Sequence, residues 1–339
     1  MTSISIVMSV FNGEKFLSEA IDSMLQQTFA DFEFIIVDDG STDRSAGIIR
    51  SYSDPRVKLV QQENRGLSAA LNAGLRLAQG RYIARMDADD ISMPNRLAMQ
   101  YQFLESHPGC VAVGSNVMLI DSQGNYLYTS DQPRDWDEIR RLLPRTPFYH
   151  SSTMFRKDAA LQCGGYFEPI RHYFEDIVFF NRLVRIGELR NLQTPLVKYR
   201  LVPSALTNTD SRFYSTVLGI TIRILENGTI SDEDLKLVER ITRSKSRRWK
   251  ESNNHLRIGK IFLEDSFHRR KAIRNFLLSI EKYPFNGISW FNLFLSLLPR
   301  RVIHRWRGWR NRRYDGRLRD GANSGLSEGV HLKTFLEKD

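Results

Sequence analysis

Three carboxylates fall within four residues at Asp87, Asp89 and Asp90. The apolar residues just before them, 82–86, predict a buried strand that ends where the acidic residues begin. Like charges this close repel each other, and any burial adds a desolvation cost. A cation between the carboxylates would relieve both, and carboxylate oxygens suit Mg²⁺ or Mn²⁺, often shared with a phosphate. A solvated acidic turn without a ligand is the alternative.

Two further polar clusters follow apolar runs in the same way. Asn12-Gly13 comes after residues 4–11, and residues 38–43 (Asp-Asp-Gly-Ser-Thr-Asp) come after residues 32–37. In a parallel sheet, ligands bind beyond the carboxyl ends of the strands. We therefore expect all three clusters to lie at one edge of a sheet.

The elements that would position these clusters alternate along the chain. Helical spacing of apolar residues over 14–27 and again up to residue 78 separates the predicted strands, so strand and helix alternate four times in the first 90 or so residues. This order predicts an α/β fold with a parallel sheet and helices on both faces. Ser92 and Pro94 predict the start of the next helix. Two more strands are predicted near 189 and over 196–199, and residues 210–298 are helical in pattern.

Composition places few limits on function. The 339 residues suffice for roughly two domains, and 41% hydrophobic with 26% charged residues is typical of globular proteins. Two cysteines do not make a disulfide framework, and neither a signal peptide nor an apolar run of about 18 residues is evident. We expect a cytoplasmic protein. The predicted domains are residues 1–205, a helical region 206–319 with a basic segment, and a loosely ordered tail 320–339.

The net charge of +10 is concentrated near the C-terminus. Residues 300–319 contain nine arginines and one aspartate, with Trp306 and Trp309 among them, and the apolar residues 288–298 come just before. Arginine beside tryptophan suits an interfacial helix on anionic lipid. It also suits nucleic acid, where arginine meets phosphate and aromatics stack on bases. A solvated basic tail is the third interpretation.

Five motifs in order resemble a known family. They are residues 9–12 (Ser-Val-Phe-Asn), residues 37–43 (Val-Asp-Asp-Gly-Ser-Thr-Asp), residues 64–66 (Asn-Arg-Gly), the acidic residues 87–90, and Glu175-Asp176. Over residues 3–205 the chain resembles a family-2 inverting glycosyltransferase of the GT-A fold. The resemblance implies a Rossmann-like, mostly parallel sheet. It also implies transfer of a sugar from a nucleotide-diphosphate donor, expected to be a UDP-sugar, to an acceptor hydroxyl with inversion.

The resemblance also assigns roles around the donor. Asp89 would be the main metal ligand, Asp87 would bind the ribose or the metal, and Asp90 is either a further ligand or a helix cap. Asp39 would accept a hydrogen bond from the nucleobase, while Asp38 shapes the turn. The residues expected at the nucleotide are Ser9, Phe11, Asn12, Asp39, Arg65, Arg85 and Asp87, with the two arginines near the diphosphate.

On the acceptor side, Asp176 would be the general base and Glu175 would orient it or contact the acceptor. Whether Glu175 or His150 takes part in catalysis stays open. Two positions depart from the family pattern. Residues 199–202 read Tyr-Arg-Leu-Val without the usual histidine, and the usual Arg-Asn pair in the third helix reads Leu71-Asn72.

The acceptor is expected to be a glycan or lipid-linked saccharide in cell-surface polysaccharide or lipid-linked glycan synthesis. Because such acceptors are often lipid-linked, we prefer an anionic membrane surface over nucleic acid as the partner of the basic segment, with the enzyme peripheral at the inner face of the cell membrane. The alternatives for the whole chain are a nucleotidyltransferase and a non-catalytic protein of this fold that acts through its basic tail. A nucleotidyltransferase would usually show a glycine-rich phosphate loop after the first strand, and residues 12–15 (Asn-Gly-Glu-Lys) match it poorly.

Overall fold

The computed structural model describes residues 2–171, 173–203, 214–242, 246–264, 268–299 and 302–303. The chain divides into two compact units, Met1–Ser246 and Arg247–Asp339. The first unit contains the sheet, and it extends beyond the sheet's last strand, which ends at Arg200, to take in two helices.

The first half of the sheet alternates strand and helix as the apolar runs predict. Its elements are β1 (Ile4–Val10), α1 (Leu17–Leu25), β2 (Phe32–Asp38), α2 (Ser45–Arg50), β3 (Val57–Gln61), α3 (Leu67–Leu77) and β4 (Tyr82–Asp87). Strands β3, β2, β1 and β4 lie side by side in that order and all run parallel. The predicted α/β alternation is therefore confirmed.

The second half of the unit completes a nine-stranded sheet. The remaining strands are β5 (Ile91–Ser92), β6 (Cys110–Ile120), β7 (Tyr126–Thr129), β8 (Met154–Arg156) and β9 (Glu188–Arg200). The helices are α4 (Arg96–Ser106), α5 (Trp136–Arg140), α6 (Lys157–Gln162), α7 (Glu175–Leu183), α8 (Tyr214–Asn227) and α9 (Asp232–Thr242), with a 3₁₀ turn at His150–Ser152. The strand order is β3-β2-β1-β4-β8-β6-β9-β5, with β7 on β6. Six strands run one way and β5, β7 and β8 run the other, which confirms a mostly parallel sheet.

Two details differ from the sequence prediction. Ser92 does not begin a helix: it pairs with Val197 across β5 and β9, and α4 starts only at Arg96. The two strands expected near 189 and 196–199 form one strand, β9, with register shifts along its pairing with β6.

Alternation along the strands explains why helices cover both faces. Ile4, Ile6 and Met8 of β1 point into a core cluster with α1, whereas Val7 points into a second cluster with α3. Successive side chains of a strand face opposite sides, so a central strand that is apolar throughout needs cover on each side. The strand ends are thereby fixed between two cores.

The second unit is helical, as expected for the C-terminal region. It comprises α10 (Arg247–Glu264), α11 (Arg269–Lys282) and α12 (Gly287–Leu297). Within the described ranges, none of the helices is both long and apolar enough to cross a bilayer. The arginine-rich residues 304–319 and the tail 320–339 lie outside the described residues.

Candidate active site

The polar turns after β1, β2 and β4 meet at one edge of the sheet. Ser9 pairs with Val37 on one side and with Asp87 on the other. The side-chain oxygen of Asn12 accepts a hydrogen bond of 2.8 Å from the backbone N–H of Thr42, which ties the first two turns together. Asn12 has a φ of 53°, a left-handed conformation that asparagine tolerates better than most residues.

The acidic cluster is compact. Carboxylate oxygens of Asp87, Asp89 and Asp90 all lie within 4.8 Å of one another. Burial and the neighbouring Asp87 raise the pKa of Asp89 to about 7. Burial, with Asp89 next to it, raises the pKa of Asp90 well above its usual range. The three carboxylates are thus held closer than their charges favour.

These residues fit a divalent cation. Asp90 is buried; its Oδ1 accepts a hydrogen bond from the backbone N–H of Arg200 at 2.7 Å, whereas its Oδ2 has no partner among the described residues. A buried carboxylate oxygen without a partner is costly unless a ligand satisfies it. The set offers only hard oxygen donors, the ligands that Mg²⁺ and Mn²⁺ prefer.

Arg200 anchors the acidic turn from β9. Its Nε donates to the carbonyl of Asp89 at 2.8 Å, and its Nη2 donates to Glu19 of α1 at 2.5 Å. The guanidinium also lies 4.4 Å from the centre of the Phe16 ring. Residues 199–202 lack the histidine of the family pattern, and the arginine of that segment supports the turn that carries Asp89.

Arg85 is a buried positive charge of the site. Its side chain is buried and forms an ion pair with Asp87. Burial lowers the pKa of Arg85, but Asp87 more than offsets this and raises it, so the guanidinium stays charged. The same charge also influences the pKa of Asp89, His150, Glu175 and Asp176. Arg85 therefore couples the acidic cluster electrostatically to the start of α7.

Asp39, the expected nucleobase contact, is largely engaged within the protein. Its carboxylate accepts hydrogen bonds from Gln62 Nε2 (2.7 Å) and from the backbone N–H groups of Arg65 (2.9 Å) and Gly66 (2.8 Å). An ionised carboxylate accepts about four hydrogen bonds, so about one remains for a ligand. Asp38 accepts from the backbone N–H of Ser41 at 2.9 Å and shapes the turn.

Two other residues expected at the donor are exposed. Phe11 follows β1 and is 52% exposed, so it does not belong to the core. The guanidinium of Arg65 lies on the surface and donates to Glu168 at 3.3 Å. The Arg65 side chain thus lies at the exposed edge of the site, while its backbone N–H donates to Asp39.

A buried chain of polar groups supports the start of α7. His150 Nε2 lies 2.8 Å from the hydroxyl of Tyr166, and its Nδ1 lies 3.6 Å from Glu175 Oε1. Burial and Arg85 lower the pKa of His150. Burial, the largest single effect, would raise the pKa of Glu175, but His150, a backbone hydrogen bond and Arg85 together outweigh it and lower the pKa. Glu175 therefore stays ionised beside Asp176.

Asp176 has the opposite shift. Burial and the neighbouring Glu175 raise its pKa to about 8, although its Oδ1 accepts a hydrogen bond from the backbone N–H of Ile177 at 2.9 Å. A base is most effective when its pKa lies near the working pH. The position and pKa of Asp176 suit a general base.

Tyr166 was missed by the sequence analysis. Asn72 of α3 fixes its backbone through two hydrogen bonds, from Tyr166 N to Oδ1 (2.9 Å) and from Nδ2 to the carbonyl of Tyr166 (2.8 Å). Gly165 precedes it with φ 67°, and a Cβ there would lie 2.6 Å from Asn72 Oδ1. The Gly164-Gly165 pair was the available signal, since only glycine fits so close to another side chain in this conformation.

The sequence profile of the family described as Glycosyl transferase family 2 matches residues 5–165. The chain is 36% identical over 207 residues to EpsE of Bacillus subtilis (strain 168), which carries a glycosyltransferase name; the match covers 58% of this chain and 72% of EpsE. It is 32% identical over 202 residues to AmsE of Erwinia amylovora, the amylovoran biosynthesis glycosyltransferase, covering 58% of this chain and 75% of AmsE.

Among solved structures, TarS 1–349 of S. aureus in complex with UDP superposes with a TM-score of 0.52 at 18% identity. The match covers 83% of this chain and 91% of the TarS chain. At this identity the likeness concerns the fold, and TarS supports the GT-A architecture predicted from the five motifs.

Proposed function

Because the chain belongs to glycosyltransferase family 2 and is therefore a glycosyltransferase, we propose that it transfers a sugar from a UDP-sugar to a glycan hydroxyl, with inversion at the anomeric carbon. The observation that carries this proposal is the meeting of the Asp87–Asp89–Asp90 cluster, Arg85 and the start of α7 within one electrostatic site. The UDP in the TarS complex supports the choice of nucleotide.

The donor's diphosphate would bind beside Asp89 and Asp87. A Mg²⁺ or Mn²⁺ ion held by these two residues would neutralise the negative charge that develops on the leaving diphosphate. Arg85 contributes a fixed positive charge at the same place, because its ion pair with Asp87 and its burial hold the guanidinium in one position. Ser9, Phe11, Asn12 and Asp39 would face the nucleoside from the ends of β1 and β2.

Asp176 would accept the proton of the acceptor hydroxyl. Inversion requires a base on the face of the sugar opposite the leaving group, and the ionised form of Asp176, whose fraction grows as the pH approaches the pKa of about 8, is a stronger base than an ordinary carboxylate. Glu175, ionised and held by His150, keeps that pKa high. Glu175 and His150 would thus be positioning residues.

We place the acceptor in cell-surface polysaccharide or lipid-linked glycan synthesis. AmsE, which is named for the biosynthesis of the polysaccharide amylovoran, supports this class of acceptor. A lipid-linked acceptor favours a location at the inner face of the cell membrane, with the basic C-terminal region directed to anionic lipid.

A donor screen tests the proposal. The full chain is incubated with UDP-, GDP- and dTDP-sugars, with Mn²⁺, Mg²⁺ or a chelator, and release of nucleoside diphosphate is measured with and without added saccharides. We expect release from a UDP-sugar that depends on the metal, and a product whose NMR coupling constants show inverted anomeric configuration.

Other products would redirect or refute the assignment. Pyrophosphate release would indicate a nucleotidyltransferase. Retention of configuration would remove the role of Asp176 as an inverting base. Binding of no sugar nucleotide in calorimetry would favour a non-catalytic protein.

A further inference from the structure

In helix α12 of the second unit, the buried face carries polar residues and the exposed face carries apolar ones, the reverse of an amphipathic helix in a soluble protein. Its buried positions include Ser289, Asn292 and Ser296, spaced at helical intervals of three and four residues. Its outward positions carry large apolar side chains: Ile288, Trp290, Phe291, Phe294 and Leu297. In water the opposite arrangement is expected, with the apolar stripe facing the core.

On the inward face of α12, Ser289 is joined to the neighbouring helices by hydrogen bonds. The hydroxyl oxygens of Ser289 and Ser279 lie 2.6 Å apart, and the Ser279 hydroxyl also lies 2.9 Å from that of Ser252. Asn286 Nδ2 donates to Ser252 Oγ at 3.0 Å. Rotating α12 to bury its aromatic residues would leave these buried polar groups unpaired. The outward apolar face is therefore specified by the sequence and is not an incidental exposure.

The exposed face is large. Phe294 is 61% exposed and Trp290 is 53% exposed, and Phe285, just before the helix, is exposed as well. Single exposed apolar residues are common on protein surfaces, but a contiguous patch of this kind marks an interaction site.

The charge of the second unit identifies the kind of partner. Residues 247–339 contain 21 basic and 9 acidic residues, a net of +12, whereas residues 1–246 contain 28 basic and 30 acidic residues. Arg269 lies beside the end of α12, where its Nε donates to the carbonyl of Ser296 at 2.5 Å, and Arg270 and Arg274 are further exposed basic residues of α11. An exposed apolar face in a unit with this excess of basic residues complements an anionic lipid surface.

The size of the helix fixes how it could engage a bilayer. Its 11 residues extend about 16 Å, roughly half the thickness of the hydrocarbon core. A helix of this length cannot span, but it can lie in the interface with its aromatic side chains among the acyl chains.

We propose that the outward face of α12 inserts into the interface of an anionic membrane and that the basic residues at the start of α11 bind the lipid headgroups. The inference rests on the membrane location given with the proposed function and names the docking face, but it does not depend on the donor, the acceptor or the catalytic residues.

Flotation of the full-length protein with lipid vesicles tests the docking face. We expect binding to vesicles containing about 30% phosphatidylglycerol, and weak binding to pure phosphatidylcholine. The double variant Trp290→Asp with Phe294→Asp should reduce binding to the anionic vesicles about tenfold or more, because it removes most of the apolar surface that would be buried. Leu77→Asp, an equally exposed apolar site at 52% in the first unit, is the matched control and should bind as the parent does.

Fluorescence quenching is a second measurement, and electrostatic attraction of the protein to the vesicle surface without insertion would not produce it. Brominated lipids in the anionic vesicles should quench the emission of a variant in which Trp306 and Trp309 are replaced by phenylalanine, and this quenching should be lost when Trp290→Phe is added. Donor hydrolysis in solution should be equal in all these variants, so a failure of the docking proposal can be told apart from a failure of the glycosyltransferase assignment.

Three results would overturn the inference. The first is unchanged flotation of the double variant. The second is a parent dimer that Phe294→Asp dissociates, with no vesicle binding, which would make the face a contact between copies of the chain. The third is tight binding of RNA or DNA without vesicle binding.

Discussion

Asp89 and Asp176 are two carboxyl groups with the same kind of pKa shift and different neighbours. Burial beside Asp87 raises the pKa of Asp89 to about 7, and burial beside Glu175 raises that of Asp176 to about 8. Asp89 belongs to a cluster of three acids with an orphan oxygen, an arrangement that a cation would complete. Among the described residues, the acid that raises the pKa of Asp176 is Glu175, which lies 3.6 Å from His150, and a proton on Asp176 relieves the repulsion between the two carboxyl groups. The two residues therefore suit different tasks.

Substituting Asp89 tests the metal assignment. Asp89→Asn should weaken Mn²⁺-dependent binding of UDP about 100-fold or more, because it removes one of the charged ligands while keeping the size of the side chain. Calorimetry with and without Mn²⁺ measures this. Asp137→Asn, at an exposed acid in α5, is the control. Parent-like, metal-dependent affinity in Asp89→Asn would show that the cation binds elsewhere.

Substituting Asp176 tests the base. Asp176→Asn should lower kcat about 10²–10⁴-fold, the usual contribution of a positioned base, and leave donor affinity unchanged. Steady-state kinetics with saturating donor, together with UDP binding, separate the two effects. Loss of donor binding would place Asp176 in the nucleotide site instead.

The same variant should change the pH dependence of stability. The pKa of Asp176 is about 8 in the folded protein and ordinary in the unfolded chain. Between these two pH values the folded state binds more protons than the unfolded state, so the free energy of unfolding falls as the pH rises. Asp176→Asn removes this pH-dependent loss of stability. Its Tm should exceed that of the parent at pH 8 by at least about 2–4 °C, the shift that about 1 kcal/mol causes in a domain of this size, and the difference should vanish towards pH 4. A constant difference at all pH values would contradict the raised pKa.

At the scale of elements, the acidic turn depends on its support from two distant segments. Arg200 at the end of β9 holds the carbonyl of Asp89, and its backbone N–H holds Asp90, while its side chain also reaches Glu19 of α1. The turn after β4 is thus clamped from the last strand of the unit. The loop 62–66 is held in a comparable way by Asp39.

Removing the clamp should loosen the site without unfolding the sheet. Arg200→Met should lower the free energy of unfolding by about 1.5–3 kcal/mol, the usual value of hydrogen bonds to a charged group, and weaken metal-dependent UDP binding. Chemical denaturation and calorimetry measure the two effects. Glu19→Gln, which removes only the charge on α1, should leave UDP binding as in the parent. Unchanged UDP affinity in Arg200→Met would show that the turn holds its shape alone.

Strands β1, β2 and β4 could be predicted from sequence because each is mostly apolar and lies in the middle of the sheet, and the edge strand β3 could be placed from the alternation of strand and helix around it. Asp87 and Asp89 could be located from their spacing at a strand end. Arg200 and Tyr166 could not, because their partners lie more than 80 residues away or in another element, and neither residue type is unusual in its local sequence. Ser92 has the local pattern of a helix cap, but pairing with Val197 overrides it.

Across the whole chain, the candidate catalytic residues and the excess of basic residues lie in different units. The catalytic candidates all lie in the first unit, which is close to neutral, and the basic excess lies in the second. The neutral unit would recognise the donor through fixed local charges such as Arg85, whereas the second unit would respond to any extended anionic surface. Added salt should therefore weaken vesicle binding far more than donor binding.

The serine hydroxyls between α10, α11 and α12 also affect the heat capacity of the protein. Exposing apolar surface on unfolding raises the heat capacity, and exposing polar surface lowers it. The second unit buries hydroxyl and amide groups between its helices and already displays its aromatic side chains when folded. Unfolding of this unit should raise the heat capacity by less than the usual ~12–15 cal/mol/K per residue. In scanning calorimetry of the full chain, it should appear as a broad transition whose enthalpy changes little with its midpoint, separate from the sharper melting of the sheet.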